Sequence, residues 1–235
     1  MYNIKETLEK FKKEIESHGH TVYAIMLKGS QNYNLSDEES DIDANAILIP
    51  TLSEIRKNKS YKYSFSEGEV VCHNIYSFAE IVAKGNPQWV EVCNTKHSIG
   101  ESLEHFSHFN INPSALKGMI MEKVHAFDKP YPSREKYVKQ FGYDPKQLHH
   151  IIRLYDTLHS GFKIGRYYGI YREWMMQIKR GTLLTKEEAF DLRDEYVQKL
   201  NKLYKEKKLQ YKKQDVNYEI LDKIVLRKLT KWKTE

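Results

Sequence analysis

The sequence predicts an α/β (α+β) chain, a small mixed sheet with flanking helices followed by an all-helical C-terminal half. Three observations predict it. Short apolar runs rich in strand formers stand at 21–27, 41–49 and 69–76. From about Ser102 onward the apolar periods are helical and no strand pattern recurs. The 235 residues are 40% hydrophobic and 30% charged, a globular balance with ample chain to bury a core.

Residues 3–18 place Ile4, Leu8, Phe11 and Ile15 on one helical face, and Gly19 closes that helix. TVYAIML at 21–27 reads as a buried strand. Lys28-Gly29-Ser30 and a polar loop follow. DIDANAILI at 41–49 reads as a second strand ending at Pro50. Residues 51–66 are polar without a clear period, a loop with a short helix. EVVCHNIY at 69–76 is a third strand. Short helices over 77–84 and 87–94 are divided by Gly85-Asn86-Pro87. Further helices are expected over 102–108, 113–128, 133–141, 145–160, 170–179, 186–208 and 215–232, with Thr185 and Glu188 in capping-box form. The expected organisation is an α/β domain over 1–100 and a helical domain over 101–235.

Composition excludes several classes. Two cysteines, Cys72 and Cys93, are too few for a disulfide framework or a four-thiolate zinc site, and both read as small buried hydrophobes. No apolar run approaches the roughly 18 residues of a membrane span, and the N-terminus lacks an apolar signal core. A cytoplasmic protein without membrane contact is expected. The formal net charge is +6, dense in lysine from Lys199 to Glu235, which suits polyanions as well as a solvated helical surface. Trp89 and Trp174 read as core, and Asp37, Glu38 and Glu39 as a solvated loop.

The chemistry-bearing segment is 22–49. Alternation along a strand puts Asp41 and Asp43 on one side. Two carboxylates so placed repel unless a cation lies between them, and hard oxygen ligands suit Mg²⁺ or Mn²⁺. Gly29 lets the backbone approach a ligand and Ser30 adds a hydroxyl donor. A glycine-serine turn opposite such a pair can hold the triphosphate of a metal–nucleotide complex, with Lys28 within reach of phosphate.

Gly-Ser, a spacer of about ten residues and Asp-x-Asp on a strand resemble the signature of the DNA polymerase β nucleotidyltransferase superfamily. Later segments are similar to its bacterial and phage "predicted nucleotidyltransferase" branch, which includes a member linked to RNA repair. They are Gly29-Ser30 with Tyr33, Ser40-Asp41-Ile42-Asp43, Gly85-Asn86-Pro87 with Glu91, a helix bearing Lys146, His150 and Arg153, and Ile178-Lys179-Arg180-Gly181. The resemblance covers roughly residues 20–200. It implies transfer of a nucleoside monophosphate from an NTP to an acceptor hydroxyl of RNA, protein or a small molecule. Asp41 and Asp43 would bind Mg²⁺ or Mn²⁺ in a two-metal mechanism. Lys146, His150 and Arg153 share one helix face that would bind triphosphate or a nucleic-acid backbone, Glu91 would cap or orient its region, and Tyr33 belongs to the nucleotide site.

The third carboxylate that the superfamily carries on a neighbouring strand has no aspartate here. Glu69, at the start of that strand, is a candidate third acid and metal ligand, and His73, on the same face, is a candidate base or ligand. The alternative is a catalytically impaired nucleotide- or nucleic-acid-binding module on the same scaffold. The base used, the acceptor and the oligomeric state are not legible in the sequence.

Overall fold

The computed structural model describes residues 3–38, 40–57, 59–160, 166–207, 209 and 211–231. Its contacts form two compact units. Unit 1 comprises residues 1–32, 36–110 and 213–235, and unit 2 comprises 33–35 and 111–212. This grouping differs from a single cut near residue 100. The chain leaves unit 1 at Asn110 and returns to it with the last helix. That helix is tied there by hydrogen bonds from Tyr76 Oη to Asp222 (2.7 Å) and from Tyr218 Oη to Glu80 (3.2 Å).

Unit 1 is a five-stranded mixed sheet in the order β3-β4-β2-β1-β5. The strands are β1 Thr21–Leu27, β2 Ala44–Ile49, β3 Ser60–Ser64, β4 Glu69–Asn74 and β5 Ser98–Gly100. Strand β1 pairs antiparallel with β2 and β5, and β4 runs parallel to β2 and antiparallel to β3. All six residues of β2 are buried, which is why the run reads as continuously apolar rather than alternating. Helix α1 (Ile4–Ser17) lays Leu8, Phe11 and Ile15 on the sheet beside Ile25, Leu27, Ile42 and Val70. Its cap is Asn3, whose side chain accepts from the N–H groups of Lys5 and Glu6. Helices α2 (Leu52–Lys57), α3 (Ile75–Ala83), α4 (Pro87–Cys93) and the returning α10 (Tyr218–Lys231) complete the unit.

Two expected boundaries shift and two strands were missed. The second strand begins at Ala44 rather than Asp41, because the Ile42 N–H donates to the Glu67 carbonyl (2.8 Å) in the β3–β4 turn. Residues 102–108 form a single turn, with Phe106 and Ser107 N–H groups on the Leu103 carbonyl, and the chain is then recaptured by the Asn112 cap of the next helix. Strand β3 lay in the stretch read as loop, although Tyr61, Tyr63 and Phe65 carry a period of two. Strand β5 is only three residues long, and a Cβ at Gly100 would lie 2.5 Å from the Tyr23 carbonyl oxygen. Such an approach has no sequence signature.

Unit 2 contains α5 (Pro113–Ala126), α6 (Glu135–Phe141), α7 (Pro145–His159), α8 (Gly169–Arg180) and α9 (Lys186–Lys207). Helix α7 is the buried centre, with Leu148, Ile151, Ile152 and Leu158 in the core. The capping box forms as expected, Thr185 N–H to Glu188 (2.8 Å) and Glu188 N–H to Thr185 Oγ1 (3.2 Å). Asp144 caps α7 and is fully buried, accepting two bonds from Arg134 at 2.9 and 2.6 Å. Arg134→Ala leaves that carboxylate buried without its cation. A loss of about 3 kcal/mol is expected in denaturant unfolding, and a change under 1 kcal/mol would contradict it.

Candidate active site

The Asp41–Asp43 segment is built by burial of the residue between the acids. Ile42 is fully buried, so alternation turns both aspartates away from the core, Asp41 exposed and Asp43 half-buried. The Lys28 N–H donates to the Asp43 carbonyl at 2.9 Å and carries the β1–β2 ladder past Leu27. Gly29 follows at φ +82, where a Cβ would lie 3.9 Å from Asp43 Oδ2, so the turn backbone lies against that carboxylate. Asn32 pins the loop. Its side chain donates to the Leu27 carbonyl (2.6 Å) and accepts from Thr95 Oγ1 (2.7 Å). Neither Asn32 nor Thr95 stood out in the sequence, because nothing local marks a buried asparagine as a loop anchor.

Glu69 comes to the same place through the parallel pairing of β2 and β4. Ala44 aligns with Val70, so Glu69 stands beside Asp43, and its N–H donates to Asp43 Oδ1 (3.4 Å). Burial raises the Asp43 carboxyl above its ordinary value, and Glu69 and Asp41 add to that, against the pull of Lys28. The Glu69 carboxylate itself is turned to lysines, Lys62 Nζ at 2.7 Å and Lys28 Nζ at 3.6 Å. The hydrogen bond from Lys62 dominates in holding the Glu69 carboxyl below its ordinary value. Among the described residues no group of three or more His, Cys, Asp or Glu is arranged to hold a metal ion. Glu69 stands beside Asp43 with its oxygens turned to Lys62 and Lys28.

Lys62 was not singled out, because only the β3–β4 register brings it to Glu69. Lys62→Met is expected to raise the Glu69 carboxyl, read by NMR titration. A folded-state value depressed below the unfolded one contributes stability above the unfolded value and loses it as pH falls through the folded one. The variant should therefore lose most stability near neutral pH and little in acid. A Glu69 titration unmoved by the substitution would contradict the pairing.

His73 is not brought to the acids. It lies four residues along β4 from Glu69, about 13 Å by strand rise. Its ring meets Trp89 edge-on at 4.7 Å, and burial pushes the imidazole below its ordinary value. Cys72 and Cys93 are buried, as expected, with the Cys72 thiol pushed up to about 12 by desolvation. Glu91 is buried in α4. Asp37 accepts from Ser40 Oγ (2.6 Å) within its loop, and Glu39 lies outside the described residues. Trp89 and Trp174 are half-buried rather than core.

In unit 2, Lys146, His150 and Arg153 do share one face of α7, but their surroundings differ. Lys146 is exposed, His150 half-buried and Arg153 buried. The Arg153 guanidinium lies 4.0 Å over the Tyr33 ring, so two residues expected at the nucleotide are joined to each other. The segment 33–35, where a 3-10 turn ends and Asn34 takes φ +59, is held by several bonds. Tyr167 N–H donates to the Tyr33 carbonyl (3.0 Å), Asn34 Nδ2 to the Tyr167 carbonyl (2.9 Å), Arg172 Nε to the Asn34 carbonyl (2.7 Å) and Lys179 Nζ to the Leu35 carbonyl (3.1 Å). His149, missed in the sequence, is buried on the same face, and both its ring nitrogens lack a hydrogen-bond partner among the described residues. Burial, with Arg153, Lys179 and Lys146, pushes it down to about 3. His150 is pushed well below its ordinary value by burial, then by His149, Arg153, Lys146 and Lys123.

No family model and no curated sequence matches the chain. Among solved structures it is similar to a nucleotidyltransferase-like protein from Exiguobacterium sibiricum 255-15. The identity is 14%, over 87% of this chain and 76% of that one, with a TM-score of 0.31. Among the described residues no helix is long and apolar enough to cross a membrane.

Proposed function

We propose that the chain is a metal-dependent nucleotidyltransferase that moves a nucleoside monophosphate from an NTP to an acceptor hydroxyl. The observation that carries this reading is the Gly29 turn seated against the Asp43 carboxylate, with Asp41 one alternation away. The aspartate pair fits an Mg²⁺ or Mn²⁺ that arrives with polyphosphate, since such ions take one or two carboxylates and complete their shell with phosphate oxygens. A closed three-carboxylate cage does not fit, because Glu69 is engaged by Lys62 and Lys28.

Asp41 and Asp43 would hold the ion, which neutralises charge on the α-phosphoryl oxygens and the leaving pyrophosphate. The Gly29 backbone and Ser30 hydroxyl would donate to phosphate oxygens. Glu69 steers the Lys28 ammonium, and its N–H fixes the Asp43 carboxylate. The Asp43 carboxylate, raised by burial, would accept the proton of the attacking hydroxyl. Within unit 2, Lys146 is an exposed cation on α7, and Arg153 acts on Tyr33.

The engagement of Glu69 also favours a second reading, a nucleotide-binding module without turnover. Pyrophosphate release separates the two, run with each of the four NTPs, with Mg²⁺ or Mn²⁺, with and without an RNA pool, in the parent and Asp41→Ala. Release that requires Asp41 supports the transferase. NTP binding without release supports the module.

A further inference from the structure

Unit 2 carries 21 Lys and Arg against 12 Asp and Glu, a formal +9, which leaves −3 on unit 1. On this cationic unit, the start of α8 exposes apolar surface. Tyr168 is 63% exposed, Ile170 91% and Tyr171 43%. Ile170 and Tyr171 stand at the first turn of the helix, Trp174 follows one turn on and is half-buried, and Met175, Met176 and Ile178 beyond it are buried. The rings are held in place. Tyr167 and Tyr171 both donate their hydroxyls to Asp156 Oδ2, at 3.0 and 2.8 Å. Trp174 lies nearly parallel to Tyr171, with centroids 5.4 Å apart and planes 13° from each other. Tyr167 is itself buried, so Tyr171, with its hydroxyl on Asp156 and its ring beside Trp174, is the anchored ring of this surface and Tyr168 its most exposed one. Lys199 sits 4.8 Å over Tyr196, which neighbours Tyr171, and pairs with Glu195 at 2.6 Å, and Arg180 is exposed at the far end of α8.

We infer that this aromatic ridge is a docking surface for single-stranded nucleic acid. Exposed bases offer flat π-faces to fixed aromatic rings, and their phosphates offer the negative charge that a +9 unit attracts. A duplex hides its base faces, and an anionic protein offers few flat rings. The inference does not rest on nucleotidyl transfer, because the probe below carries no triphosphate.

The test is fluorescence anisotropy of the full chain with short labelled oligouridylate and oligothymidylate over a salt series. Tyr168→Ala is expected to weaken binding roughly 5- to 100-fold, and Tyr168→Trp to retain it. Lys199→Gln is expected to lower the slope of log affinity against log salt by about one. An unmoved melting temperature shows that Tyr168→Ala has not unfolded the chain. Tighter binding of oligouridylate than oligothymidylate would add 2′-hydroxyl contacts to the same surface. No binding by the parent at low salt overturns the inference, as does equal affinity in Tyr168→Ala. Self-association that Ile170→Asp abolishes, with no oligonucleotide bound, overturns it in favour of a second copy of the chain.

Discussion

Asp43→Asn is expected to reduce nucleotidyl transfer roughly a thousandfold or more while the chain melts slightly higher than the parent. The loss follows from charge. Asparagine keeps the shape and the contact with the Gly29 turn, but gives a divalent ion no negative ligand and the attacking hydroxyl no base. A thousandfold corresponds to about 4 kcal/mol of transition-state stabilisation, within the reach of one charged group in a preorganised site. The gain in stability follows from the raised Asp43 carboxyl. A folded-state value above the unfolded one means that stability falls as pH rises through that interval, so the ionised aspartate is a cost at neutral pH. Solvent screens this half-buried group, which limits the gain to roughly 1–3 °C, vanishing in acid. Pyrophosphate release and thermal melts across pH check both halves. Full activity in the variant would sink the proposed function, and a lower melting temperature would contradict the electrostatic account.

Gly68→Ala is expected to lose about 3 kcal/mol or more, roughly 6–12 °C in melting, and transfer with it. Gly68 sits at φ +156, where a Cβ would lie 2.2 Å from the Ile42 carbonyl oxygen and 2.6 Å from its carbon. Those are backbone atoms between Asp41 and Asp43, so relief of the clash must displace the acids. The Ile42 N–H bond to Glu67 and the Phe65 N–H bond to the Gly68 carbonyl, both 2.8 Å, tie the turn to the same place. Gly118→Ala is the matched control. Its Cβ meets nothing within 4 Å in the middle of α5, and a gain of roughly 0.5–1 kcal/mol is expected. Equal melting of Gly68→Ala and the parent would show that the turn yields freely.

Much of this was legible before any coordinates. The run 21–27, rich in strand formers, fits the buried strand it forms, and the period of residues 3–18 reappears as the buried stripe Leu8, Phe11, Ile15. The pairing of Asp41 with Asp43 needed only alternation and the apolar Ile42 between them. Which groups a residue meets is set by contacts distant in the chain. His73 and Glu69 share a strand face, but that face is about 13 Å long between them, and Trp89 occupies its far end. Arg153 looked like a phosphate ligand because helix spacing says which residues share a face and not what covers it. Tyr33 covers it.

The sequence by itself determined the elements, the aspartate pair and the glycine turn, because strand and helix periodicity and the conformational freedom of glycine are local properties. The tertiary structure alone decided which partners those groups meet. Parallel pairing of β2 and β4 set Glu69 beside Asp43, the β3–β4 register gave its carboxylate to Lys62, and the close approach of Gly68 to Ile42 fixed the backbone between the acids. Each of these depends on register between separate segments, from 7 residues apart for Lys62 and Glu69 to 26 for Asp43 and Glu69, which hydrogen-bond geometry and packing select and no local pattern encodes.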